Sequence, residues 1–109
     1  MLAYEADRRP TQHYQARAAE RALPSNVEDF LLTWGTETRA AGATHITLVR
    51  RDLPAEMQDS EEVTRAEGWI IVASDDGSLI TCYRRTDAWS FVRRKSQLRP
   101  RRRSRRYCR

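Results

Sequence analysis

The chain reads as an α+β protein, with N-terminal helices packed on a small antiparallel sheet, then a C-terminal helix and a basic tail. Three observations predict this. Apolar residues follow helical spacing from Ser25, period-two patterning takes over at Thr44, and Asp76-Gly77 lies between two β-rich runs. At 109 residues, with 39% hydrophobic and 32% charged, there is material for one modest core and not for two. The expected organisation is a peripheral segment over residues 1–24, one domain over 25–98 and an Arg-rich mobile arm over 99–109.

The elements follow in order. Residues 1–24 are weakly patterned, with a short helix after Thr11 and a break at Pro24; His13 has no identifiable partner and reads as surface. Ser25 and Glu28 form the S-x-x-E pattern that satisfies orphan amides at a helix start. Val27, Phe30, Leu31, Trp34 and Ala41 then predict one amphipathic helix closed by Gly42. From Thr44 to Val49 the alternation puts Ile46 and Leu48 on one side and His45, Thr47 and Val49 on the other, which is a strand. Ser60 to Ala66, with Glu61 and Glu62 in the first turn and Gly68 beyond, reads as a short acid-capped helix. Trp69–Ser74 and Leu79–Arg84 flank Asp76-Gly77, a dipeptide that tolerates the positive φ of a tight turn, so they predict a hairpin. With a two-residue turn, Ser74 opposes Leu79, Val72 opposes Thr81 and Ile70 opposes Tyr83. The other face, Trp69, Ile71, Ala73, Ile80 and Cys82, is then expected against the long helix, leaving the Thr81 and Tyr83 face open. Thr86 caps a last helix striped by Ala88, Phe91 and Val92.

Charge is segregated along the chain. Arg84 to Arg109 hold twelve Lys or Arg against Asp87 alone, whereas residues 1–83 hold eight Arg against fourteen acids. The two parts are therefore near +11 and −6, giving the net +5. So one-sided a field attracts polyanions to one end, and nucleic acid is the first partner it suggests. Nineteen of the twenty basic residues are Arg; one reading is a genome composition that favours Arg codons, the other that Arg's planar fork suits phosphate, and the two are compatible. Arg50 and Arg51 end one strand, Arg84 ends another, and Arg93, Arg94, Lys95, Arg101, Arg102 and Arg103 line the last helix and tail; together they form the expected phosphate-binding set. The competing reading for Arg50, Arg51 and Arg65 is a solvated network with Glu61, Glu62 and Glu67. Trp69 and Trp89 read as core anchors, leaving Trp34 and Tyr107 as candidate stacking surfaces.

Phosphate loops, paired metal-ligand spacings, nucleophile elbows and dinucleotide fingerprints are all missing, so neither a metal nor a cofactor is expected. Cys82 lies in an apolar run and Cys108 in the basic tail, which suggests no disulfide and a reducing, cytoplasmic setting. No stretch approaches a membrane span in length. The chemistry-bearing candidate is His45, which parity places on the open side with Thr81, Tyr83 and Arg85. An imidazole, two hydroxyls and a fixed cation are what metal-free RNA cleavage needs: a base, an acid and a stabiliser of phosphorus-bound charge. The competing reading is a half-buried strand histidine that only hydrogen-bonds.

The stretches THITLVRRDLP, EGWIIVASDDGSLITCYRR and TDAWSFVRRK together resemble the small ribonuclease toxins of the barnase, EndoU, colicin and RelE assemblage, over roughly residues 25–97. The resemblance implies metal-independent RNA cleavage on an open sheet face, with His45, Thr81, Tyr83 and Arg85 at the matching positions, and an acidic antitoxin or immunity-type protein as partner. The chain departs from that pattern in having one histidine in the region and no glutamate in a clear catalytic position. The expectation is thus an RNA-binding protein and a metal-independent endoribonuclease. The alternative is a non-enzymatic nucleic-acid- or ribosome-binding module that uses the Arg-rich C-terminus.

Overall fold

The computed structural model describes residues 9–97 and builds them into a five-stranded mixed sheet between two helical layers. The α+β class is as the patterning predicts. The order is β1 (Arg9–Pro10), α1 (Gln12–Glu20), α2 (Ser25–Trp34), β2 (Thr36–Ala40), β3 (Ala43–Thr47), two single 3₁₀ turns at Arg50–Asp52 and Ala55–Met57, α3 (Glu61–Ala66), β4 (Trp69–Ala73), β5 (Ser78–Arg84) and α4 (Ala88–Gln97). In space the strands run β1-β5-β4-β3-β2, antiparallel except for β1 beside β5.

Residues 9–24 belong to the fold and are not peripheral, which corrects the expected boundary at Ser25. Arg9 and Thr11 donate backbone N–H groups to Gly77 and Leu79, at 3.1 Å each, and so tie the front of the chain to β5. The Thr11 hydroxyl caps α1 by accepting from the Tyr14 N–H, and α1 then drives Tyr14 into the core, where it is 1% exposed. The Tyr14 hydroxyl donates to Glu28 Oε2 at 2.6 Å, so Glu28 serves the α1–α2 contact and not a capping box with Ser25.

The expected long helix stops at Trp34. Gly35 is extended (φ −69°, ψ 152°), and a Cβ there would lie 2.5 Å from both Ile46 Cγ2 and the Leu31 carbonyl oxygen. Thr36–Ala40 instead forms β2, paired with β3 through a two-residue turn at Ala41 (φ 52°) and Gly42 (φ 81°). Gly42 is therefore a hairpin residue and not a helix cap.

The hairpin at Asp76-Gly77 is present with a different loop. Ser74 and Ser78 close a three-residue connection with Gly77 at φ 90°, and Ala73 pairs with Leu79 while Val72 pairs with Thr81. Ile80 is the bulged residue, so Leu79 turns into the core and Ile80 moves to the opposite face, the reverse of the expected assignment. Val72 opposite Thr81 and Ile70 opposite Tyr83 are as expected.

One sheet face, with Ile46, Trp69, Ile71, Leu79 and Cys82, packs under α1, α2 and α3. The other face is not open. α4 lies across it, burying Ile70, Val72, Ala88 and Val92 with Tyr83 and Phe91 alongside. The signal was present in β4, whose five residues are all buried: an apolar run without alternation marks a strand covered on both faces. Each large side chain so covered contributes about 1.5–3 kcal/mol.

Candidate nucleic-acid interface

The C-terminal ends of β3 and β5 and the start of β4 meet at one end of the sheet, because Thr47 pairs with Ile70 and Ile70 with Tyr83. This brings Arg50 and Arg51 to the same end as Arg84 and Arg85, as the strand-end reading expects, and α4 begins there too. Arg51, Arg84, Arg85, Arg93, Arg94 and Lys95 belong to this part of the fold, whose clefts carry the acids Glu67 and Asp87. The opposite end holds the Asp75–Gly77 loop, where Asp75 pairs with Arg39 and Asp76 with Arg9.

Aromatic rings hold these cations in place. The Arg51 guanidinium lies 5.8 Å from the Trp89 ring centre, Arg84 lies 5.5 Å from Trp69, and Arg85 lies 4.0 Å from Phe91. Lys95 Nζ adds a second cation 5.4 Å from Phe91. A guanidinium over a ring loses rotamer freedom in advance, so less entropy remains to be lost on binding an anion. Among the described residues Arg51 and Arg84 keep their N–H edges free of acids, whereas Arg85 turns Nε and Nη2 to Asp87. Trp69 is a core anchor as expected and also carries Arg84, whereas Trp89 is half-buried outside the core, which corrects its reading as an anchor. The Trp69–Arg84 pair follows from the hairpin register, and Phe91–Lys95 is an i,i+4 pair on α4; both signals lay in the sequence unread.

Arg50 is corrected from the phosphate-binding set. Its Nε and Nη2 donate to the two Glu67 carboxylate oxygens at 2.7 and 3.0 Å, Nη1 donates to the Gln58 carbonyl, and Asp59 stands 3.7 Å away. The Glu67 contact raises the Arg50 pKa further. The network reading thus holds for Arg50 and, through Glu61 at 2.7 Å, for Arg65, while Arg51 stays outside it. Arg85 donates to Asp87 at 2.8 Å and Arg94 reaches the same carboxylate at 3.3 Å, which, with Arg85 as the larger cause, lowers the Asp87 pKa to about 2. Arg93 is exposed on α4 with no acidic partner among the described residues. Arg101, Arg102, Arg103 and Tyr107 lie outside the described residues.

Two clefts of about 520 and 170 Å³ open at this end and share Glu67, Gly68 and Thr86. Gly68 sits at φ +93°, and a Cβ there would come 3.1 Å from the Arg85 carbonyl oxygen, so the crossing of the two corners requires glycine.

Parity places His45, Thr81 and Tyr83 on one sheet face as expected, but beneath α4 and apart. His45 shares a cross-strand row with Val72 and Thr81, so the Val72 side chain separates imidazole from hydroxyl; Tyr83 belongs to the next row, with Ile70 and Thr47. The imidazole is 1% exposed. Lys95 Nζ lies 3.4 Å from Nε2, and since an ammonium only donates, Nε2 is the acceptor and the ring proton falls to Nδ1. Burial and then the Lys95 charge lower the His45 pKa, offset only in part by the Ala43 backbone. The expectation of an accessible histidine is therefore corrected: α4 closes its face. Tyr83 stands edge-on to Phe91 at 6.1 Å, with its pKa raised by burial. Arg85 joins this group only through Phe91 and the charge it presents to Tyr83. Three buried polar atoms on this face, His45 Nδ1, Thr47 Oγ1 and the Tyr83 hydroxyl, have no hydrogen-bond partner of good geometry among the described residues, the Ala43 backbone being a weak one for the imidazole.

Among the described residues no three His, Cys, Asp or Glu side chains gather as a metal ligand set, and no helix is long and apolar enough to cross a membrane. Comparison with protein-family models, with curated proteins and with solved structures gives no match. The resemblance to small ribonuclease toxins thus gains no support from that side, and function rests on the chemistry of the site.

Proposed function

We propose that this protein binds nucleic acid, RNA first among candidates, through the arginine–aromatic cradle at the β3–β5 end of the sheet and the exposed basic row of α4. The observation that carries the reading is the placement of Arg51 and Arg84 over Trp89 and Trp69 at one end of the molecule, with Arg85 over Phe91 and paired to Asp87 beside them. Cations fixed in that way suit a chain of phosphates, and each phosphate neutralised on a single strand contributes about −0.7 to the slope of log affinity against log salt. The residues that follow α4 in the sequence add further positive charge to this part of the chain. The test is a salt titration of RNA affinity for the full chain against an Arg51→Ala/Arg84→Ala/Arg93→Ala variant. The slope is expected to shrink by about 2 in the variant, at about 0.7 for each phosphate left without its guanidinium. An unchanged slope, or no binding by the full chain at low salt, contradicts the reading.

Metal-independent RNA cleavage is the second reading, favoured by the three unpartnered polar atoms collected under α4. It requires α4 to leave the sheet, since the imidazole is otherwise shut off from substrate; an acidic antitoxin- or immunity-type partner belongs to this reading. Incubation of the purified chain with bulk RNA, alongside His45→Ala, decides it. Equal cleavage by both proteins, or none by either, removes it.

A further inference from the structure

Resting on the nucleic-acid reading, we propose that the two-lobed cleft at Gly68 takes one unpaired nucleotide, so that the ligand is a single strand and not a duplex. The larger lobe is bordered by Arg84, Arg85, Thr64 and Thr86; with Arg85 directed to Asp87, the Arg84 guanidinium and the two hydroxyls are the groups suited to a phosphate. The smaller is bordered by the Trp89 indole and by Ser90, Glu67 and Asp87, with Leu48 and Ala88 buried behind them, so that one ring and several polar groups meet the face and edges of a base.

The acids in the lining are already neutralised. Glu67 is tied by Arg50 through two hydrogen bonds and Asp87 by Arg85 and Arg94, so neither presents a free negative charge to a phosphate. Their oxygens retain lone pairs that accept from a base's N–H groups. The floor is fixed by the Arg85 N–H, which donates to the Gly68 carbonyl at 2.7 Å. A paired base cannot leave its stack to enter such a corner without the duplex opening, whereas an unpaired base is free to turn out. A duplex would instead touch the outward row of α4, where Arg93 and Arg94 are exposed.

That division supplies the test. Fluorescent single-stranded and duplex RNAs of equal length are titrated into the full chain, Trp89→Ala, and Arg93→Ala/Arg94→Ala. Trp89→Ala is expected to weaken single-strand binding roughly 5- to 150-fold, the loss of one stacked base, and to weaken duplex binding much less, since a duplex loses only the ring that holds Arg51. An unchanged circular-dichroism spectrum and urea midpoint show that the variant is folded. The Arg93/Arg94 variant is expected to weaken both ligands. As a check that keeps an aromatic ring beneath Arg84, Trp34→Phe/Trp69→Phe leaves Trp89 as the one indole among the described residues, and its fluorescence should quench with single strand. If the full chain binds both ligands equally, Trp89→Ala changes neither and Trp89 does not quench, the cleft assignment is overturned while the binding reading stands. If the full chain binds neither ligand, both fail.

Discussion

Replacing Thr47 by Val should stabilise the protein. Thr47 is 0% exposed on β3, beneath α4, and its hydroxyl has no hydrogen-bond partner among the described residues. A buried hydroxyl that gives up water without compensation costs about 1–3 kcal/mol, and Val keeps the shape while replacing that oxygen with a methyl. The β-branched side chain is retained, so strand propensity works in the same direction. The expected gain is about 1–3 kcal/mol. At roughly 4–8 °C per kcal/mol for a domain of 60–100 residues, the melting temperature should rise by at least about 4 °C. Urea unfolding followed by tryptophan fluorescence measures the free energy, and calorimetry the temperature. A loss of stability on Thr47→Val would show that the hydroxyl is satisfied in solution, and the description of α4 as covering a polar face at a cost would be wrong.

The same reasoning makes Tyr83→Phe neutral or stabilising by about 1 kcal/mol, and a loss near that size in urea unfolding would count against it. His45 sets a pH dependence. Its folded pKa lies below the ordinary value near 6.5, so the unfolded chain binds the proton more readily; stability is complete above about pH 6.5 and falls as the pH drops from there toward the folded pKa. His45→Gln should flatten that part of the profile, and an unchanged slope refutes the assignment. Gly35→Ala places a methyl against the Leu31 carbonyl and Ile46, neither with room to move, and should cost roughly 3 kcal/mol or more. Wild-type stability in that variant would mean the α2–β2 corner is built differently.

The hairpin, the acid-capped α3 and the basic α4 were legible because each rests on local chemistry: positive-φ glycine, a Ser60 cap over Glu61 and Glu62, and a cationic last turn. Two errors came from signals with two meanings. Gly42 ends helices and turns hairpins equally well, and Thr36-Glu37-Thr38-Arg39 is too polar to announce the edge strand it forms. The bulge at Ile80 left no trace in period-two counting, yet it exchanged Leu79 and Ile80 between faces. For the site, strand parity correctly placed His45, Thr81 and Tyr83 on one face, but parity is blind to what lies above a face. The Lys95–His45 approach joins residues fifty positions apart, and it appears only once α4 is docked. Arg50 shows the same limit: its Glu67 partner is seventeen residues away, across a turn whose path the pattern does not specify.

Amide hydrogen exchange with and without a saturating single-stranded RNA tests the central claim most directly. Protection gained at Arg51, Gly68 and Arg84–Trp89, with the Ala41–Gly42 and Asp75–Gly77 turns at the far end unchanged, is the result expected of a ligand seated on the arginine–aromatic cradle. Protection confined to those far turns, or none anywhere in residues 9–97, would contradict it.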